Sequence, residues 1–192
     1  SMFVSPAERD SAAYREFWAK LGRGEYEAAE YKRFGKGGKE VWMRASYNPI
    51  LDEAGKPFKV VKFASDITAD KLKAANYAGQ IEAIGKSQAV IEFSMDGHVL
   101  TANANFLGAL GYSLAEIQGK HHSMFVPADQ RDNEAYRAFW AALNRGDFQS
   151  GEYERVGKGG KQIWIQASYN PIRDLNGNPF KVVKYASDTT AQ

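Results

Sequence analysis

The 192-residue chain carries 25 basic and 23 acidic side chains, a formal charge of +2, so it lacks the clustered basic excess with which proteins meet nucleic acid. It has no cysteine, which excludes disulfides, thiolate metal sites and cysteine nucleophiles, while 44% hydrophobic and 13% aromatic residues suffice for a packed core. No apolar run approaches the roughly 20 residues of a membrane span and no signal peptide is visible, so a cytoplasmic location without membrane contact by this stretch is expected.

The chain opens on a segment that it contains twice. Residues 1–70 align without a gap on residues 123–192, at an offset of about 122 residues and with about 43 identities, which marks a duplicated structural unit. In each copy a helix is predicted first, over Arg9 to Leu21 and Arg131 to Leu143, because Tyr14, Phe17, Trp18 and Leu21 recur at three and four residues. Its aromatic stripe reads as a core face. Trp18 and Trp140 are expected to pack on the sheet, with stacking on a cofactor as the alternative.

Strands follow at Ala28 to Phe34 and Ser150 to Val156. The next segment, Gly157-Lys158-Gly159-Gly160-Lys161, lacks the Gly-Lys-Ser/Thr ending and following helix of a phosphate loop. It is therefore expected to be a hairpin loop, with Gly157, Gly159 and Gly160 taking positive φ. In the middle strand Ile163, Ile165, Ala167 and Tyr169 share one face, whereas Trp164, Gln166, Ser168 and Asn170 share the other, since strand side chains alternate. Asn176-Gly177 then signals a turn into Phe180 to Ala186, whose counterpart is Phe58 to Ala64.

Between the copies, Ala69 to Lys86 reads as a helix with Leu72, Ala75, Ile81 and Ile84 apolar, with Asp66 or Thr68 as N-cap. It is expected to link two like domains and to offer a dimerisation segment. Residues 88–122 have no counterpart ahead of residue 1, so the first copy is expected to be N-terminally truncated. They read as strands Ala89 to Phe93 and Val99 to Ala102 around a Met95-Asp96-Gly97 turn, a short helix Asn105 to Leu110, and a capping box Ser113-Leu114-Ala115-Glu116. The resulting partition is residues 1–68, the C-terminal part of a first domain; 69–87, a helical linker; and 88–192, a complete second domain.

Strand, Asp-Gly turn, strand, Asn103-x-Asn105-Phe106, Leu110-Gly111-Tyr112-Ser113-x-x-Glu116-Ile117-x-Gly119, a helix and three strands ending in Asp188-x-Thr190 together resemble the PAS domain. The stretch Gly119 to Val126 and the Phe-Trp helix are most similar to tandem PAS sensors of bacterial methyl-accepting chemotaxis proteins of the aerotaxis and biofilm-dispersal types. The resemblance implies an α+β fold with a five-stranded antiparallel sheet in order 2-1-5-4-3 and helices on one face. Fold alone does not fix function, which lives in the site.

The same resemblance implies the site residues. His121 and His122 become candidates for a flavin contact or haem axial ligand, His122 being the metal ligand of choice. Trp140, Ile165, Ala167 and Lys184 would line the cofactor side, with Val182 and Ala186 sharing the face of Lys184. A buried Lys184 calls for an anion, either a ligand carboxylate or Glu152. Haem b is the first cofactor candidate, FAD the second and no cofactor the third, because Val126-Pro127-Ala128-Asp129-Gln130-Arg131 replaces the Arg-His-Pro-Asp-Met-Pro stretch of flavin-binding aerotaxis relatives. The absence of cysteine rules out the photochemical adduct of light-sensing relatives.

No nucleophile-base pair, carboxylate dyad or metal-ligand spacing appears, so a non-enzymatic module is expected. The reading is a sensory input region responding to oxygen, redox state or a small ligand. Asp66 and Thr68, or Asp188 and Thr190, would relay the signal through helical linkers to a downstream signalling domain. The rival is a PAS-PAS dimerisation module without cofactor. A homodimer is expected, through domain swapping or pairing at the edge strand Phe58 to Ala64, with Trp42 and Trp164 on the outer sheet face as further contacts.

Overall fold

The computed structural model describes residues 2–190, which form two compact units, Ser1–Gly79 and Gln80–Gln192. In the first, helices α1 (Pro6–Arg9) and α2 (Ala12–Gly22) precede strands β1 (Glu27–Phe34), β2 (Glu40–Leu51) and β3 (Pro57–Asp66). The strands pair antiparallel in the order β1-β2-β3. The helix predicted from Arg9 to Leu21 thus starts only at Ala12, after the short α1 has ended at Arg9. Ser11 breaks the run because its hydroxyl accepts the N–H of Tyr14, the role of an N-cap rather than of a helix interior.

The first unit's core is small: Leu21, Ala45 and Tyr47 are buried, with Phe17, Tyr31 and Val60 packed against them. Phe17, not Trp18, is the anchor of the aromatic stripe; Trp18 is 46% exposed. Helix α3 (Thr68–Ser87) follows, and none of its residues is buried. Asp66 prepares its start, accepting the Thr68 N–H at 2.9 Å.

The second unit adds β4 (Ala89–Ser94), β5 (Val99–Ala102), α4 (Ala104–Leu110), α5 (Leu114–Ile117), α6 (Glu134–Arg145), β6 (Gln149–Val156), β7 (Gln162–Arg173) and β8 (Pro179–Asp188). Its sheet has the order β5-β4-β8-β7-β6, the 2-1-5-4-3 arrangement. Helix α6 begins at Glu134, later than the expected Arg131, because the Asn133 side chain accepts the Tyr136 N–H at 2.8 Å and caps it. Ile163, Ile165, Ala167 and Tyr169 all point inward, where they join Ile91, Phe93, Phe106, Ile117, Phe125, Leu143 and Val182 in one continuous core. Burying each of the larger of these side chains contributes about 1.5–3 kcal/mol.

Two features bind the turns to this core. Gly159 and Gly160 have positive φ, but Gly157 is extended at φ −86, which corrects the expectation for it. Gly157 is needed for another reason: a Cβ there would meet the Leu110 carbonyl oxygen at 2.7 Å, so only glycine lets β6 and α4 approach. The Asn-x-Asn pair closes the C-terminal end of α3. Asn103 Nδ2 donates to the carbonyls of Gly85 and Gln88 at 3.0 and 2.9 Å, while its Oδ1 accepts from Val90 and Phe106. Among the described residues no helix is long and apolar enough to cross a membrane.

Candidate functional site

The interior of the second unit contains a polar cluster. The turn at Asp96-Gly97 sets it up, since the Gly97 carbonyl accepts the His122 N–H at 2.8 Å and draws His122 inward. The two histidines part company: His122 is 0% exposed, whereas His121 is half-buried and its Nδ1 accepts the Ser123 N–H as the cap of the following turn. Its Nδ1 lies 2.8 Å from Tyr136 Oη and its Nε2 3.2 Å from Tyr169 Oη. A neutral imidazole donates to one of these oxygens and accepts from the other. Burial, with the Arg155 and Lys184 cations nearby, holds the His122 pKa well below the ordinary histidine range.

Tyr169 Oη also accepts from Arg155 Nη2 at 2.9 Å, and Lys184 Nζ lies 5.0 Å from the Tyr169 ring centre. Burial alone would raise the Tyr169 phenol, but Lys184 and Arg155 outweigh it and bring its pKa below the usual value. Lys184 points inward with Val182 and Ala186 and is itself pulled down by burial. Its companion is Tyr169, not Glu152, which sits near Thr189 instead.

The other candidates fall around this cluster. Ile165 and Ala167 are buried in the core wall. Trp140 is half-buried and edge-on to His122 at 5.5 Å, and among the described residues its indole N–H has no hydrogen-bond partner. His121 bonds Ser123 through Nδ1 and lines a separate outer groove of about 470 Å³ with Met95, Arg131, Trp140 and Asn144. The two Asp-x-Thr pairs repeat one geometry. Asp66 accepts Thr68 Oγ1–H at 2.6 Å and Thr68 Oγ1 accepts the Trp42 N–H at 2.9 Å. Asp188 accepts Thr190 Oγ1–H at 2.5 Å and Thr190 Oγ1 accepts the Trp164 N–H at 3.0 Å. These hydrogen bonds hold both aspartates below the usual carboxylate range.

Haem at His122 does not fit this packing. Both ring nitrogens are engaged by tyrosine hydroxyls, and the ring is flanked by Phe93, Phe125, Phe139 and Tyr169. Among the described residues no group of three His, Cys, Asp or Glu could hold a metal ion.

Arg155 is the residue that sequence reasoning missed. The signal was available in the register: Tyr153 pairs with Ile165 and Arg155 with Ile163, both core-facing, so parity carried across the hairpin turns Arg155 inward. It is 5% exposed, and its guanidinium covers the Tyr153 ring at 4.8 Å.

The model of the PAS-fold family matches residues 1–64 and 99–186. The chain is 42% identical over 184 residues to the biofilm dispersion protein BdlA of Pseudomonas aeruginosa, covering 96% of this chain and 44% of that protein. It is 30% identical over 78 residues to the aerotaxis receptor of Escherichia coli, covering 41% of this chain and 15% of that one. The chain therefore spans less than half the length of these curated relatives. A solved PAS domain from Colwellia psychrerythraea superposes with a TM-score of 0.53 at 20% identity, over 60% of this chain and 98% of that one. The antiparallel sheet of order 2-1-5-4-3, its covering helices and the matched residues agree, and the chain belongs to the PAS-fold family.

Proposed function

We propose that this chain is the non-enzymatic sensory input region of a chemotaxis-type receptor, and that its second unit reads the stimulus. One observation carries this reading: an otherwise apolar core buries His122, Tyr169, Arg155 and Lys184 together. Each buried polar group costs stability unless fully partnered, and such groups cluster where environment and function meet. Its position on β7 and β8 supports a route outward, because Tyr169 and Lys184 face each other across that ladder and β8 ends at Asp188, two residues before Thr190. A change at the Tyr169 oxygen would alter the ladder and the latch on Trp164. Similarity to a biofilm dispersion protein and an aerotaxis receptor supports the same class. A small ligand is favoured over haem, since neither His122 nitrogen is free to ligate iron.

For partners, the proposal is a homodimer feeding a downstream signalling domain. The apolar residues Leu72, Ile81 and Ile84 of α3 are exposed, as are Phe58 and Phe63 of β3. The test is a chimera in which this chain replaces the region it matches in the Pseudomonas aeruginosa biofilm dispersion protein. The expected result is a retained dispersal response that Tyr169→Phe abolishes at unchanged protein level. A chimera that folds but responds identically with and without that substitution would remove the polar core from the mechanism.

A further inference from the structure

The duplication supplies an internal comparison for Arg155. Its counterpart Arg33 is also buried, at 6% exposure, and covers Tyr31 at 4.7 Å much as Arg155 covers Tyr153. Arg33, however, has an anion: Nη1 lies 3.1 Å from Glu8 Oε1. The residue aligned with Glu8 is Gln130, which is neutral. Among the described residues no carboxylate pairs with Arg155. Its Nη1 goes to the Glu154 carbonyl at 2.7 Å, its Nη2 to Tyr169, and its Nε–H is buried without a partner. A buried guanidinium lacking a carboxylate is costly, and with Lys184 it leaves the core with two cations facing one phenol.

The space in front of Arg155 is not filled by protein. A cleft of about 170 Å³ lies there between α6 and β6, and Gln130, Tyr136, Phe139, Tyr153 and Arg155 line it. The same guanidinium that faces this cleft holds Tyr169. We infer that the cleft is a binding site for a small monocarboxylate, whose anionic head takes the place that the Glu8 side chain occupies beside Arg33 and whose apolar body rests on Phe139 and Tyr153. The Gln130 amide can donate to the second carboxylate oxygen, a bond that glutamate could not make. This deepens the sensory reading and rests on it only for its consequence; the binding stands on the geometry.

The test is titration with acetate, propionate and benzoate at constant ionic strength, followed by calorimetry and by thermal unfolding, with chloride and the neutral amides of the same acids as controls. Saturable binding and stabilisation by carboxylates but not by the amides or chloride is expected. Gln130→Glu, which restores the carboxylate of the first unit, should stay folded and weaken binding by about tenfold or more. In the other direction, Glu8→Gln should create a second, weaker site at Arg33. Equal binding by the wild type and Gln130→Glu, or equal stabilisation by chloride, would overturn the inference. If the chimera responds but no carboxylate binds, the inference fails and the sensory reading stands. If a carboxylate binds and the chimera is silent, the inference stands and the sensory reading fails.

Discussion

Arg155 donates to the hydroxyl of Tyr169 at 2.9 Å, and this one bond joins the cleft under α6 to the strand ladder that ends in the Trp164 latch. The Tyr169 oxygen faces Arg155, His122 and Lys184 together, an environment that stabilises the phenolate relative to the phenol. Lys184→Met removes one of the two cations. The Tyr169 titration, read from the phenolate absorbance, should then move to higher pH, with little loss of stability because a buried ammonium is exchanged for an apolar side chain. An unchanged titration would mean that Lys184 does not govern this oxygen.

His122 makes stability depend on pH. Its folded pKa is depressed, so below the unfolded value of about 6.5 the unfolded chain binds a proton that the folded chain refuses. The contribution is complete above that value and is lost as pH falls, at up to about 1.4 kcal/mol per pH unit. Urea unfolding of the second unit from neutral to mildly acidic pH should show that slope, and His122→Phe should flatten it even if the variant is less stable throughout.

Gly157 and Gly35 occupy equivalent places with unequal surroundings. A Cβ at Gly157 collides with the Leu110 carbonyl at 2.7 Å, whereas at Gly35 the nearest atom is the Lys39 carbonyl oxygen at 3.6 Å. Gly157→Ala should destabilise the second unit by about 1–3 kcal/mol, the usual cost of overpacking. Gly35→Ala should leave the first unit within about 0.5 kcal/mol of its original stability. Thermal melts of the two variants, compared side by side, check the contrast.

Trp164 lies on the outer sheet face and is 42% exposed, while its backbone N–H donates to the Thr190 hydroxyl. Large exposed aromatics of this kind anchor protein contacts. Trp164→Ala should weaken self-association in sedimentation experiments more than it lowers the unfolding midpoint. Identical sedimentation of variant and wild type would remove this face from the proposed dimer.

Much of this arrangement is legible in the residues because β-strand alternation is a short-range rule. It places Tyr169 inward, whereas Lys184 is placed inward only by the resemblance to PAS relatives. Arg155 escapes a strand-by-strand reading, since its inward turn shows only when parity is carried from β7 to β6 across the hairpin. The depth of His122 depends on a backbone bond to Gly97 and on rings from α6 and β7, contacts remote in sequence. The starts of the long helices depend on Ser11 and Asn133, whose capping competes with the aromatic periodicity and wins. The partner of Arg33 differs from that of Arg155 through a single aligned pair, Glu8 and Gln130, a difference with physical meaning only once both guanidinium groups are known to be buried.

In the proposed mechanism the polar core of the second unit reports a bound carboxylate at the end of β8. Amide hydrogen exchange of Trp164 and Thr190 measures this directly, with and without saturating propionate, in the wild type and in Gln130→Glu. The expected result is a change in exchange at both amides in the wild type, and a much smaller change in the variant at the propionate concentration that just saturates the wild type. Saturation by propionate with both amides unchanged in the wild type would contradict the account.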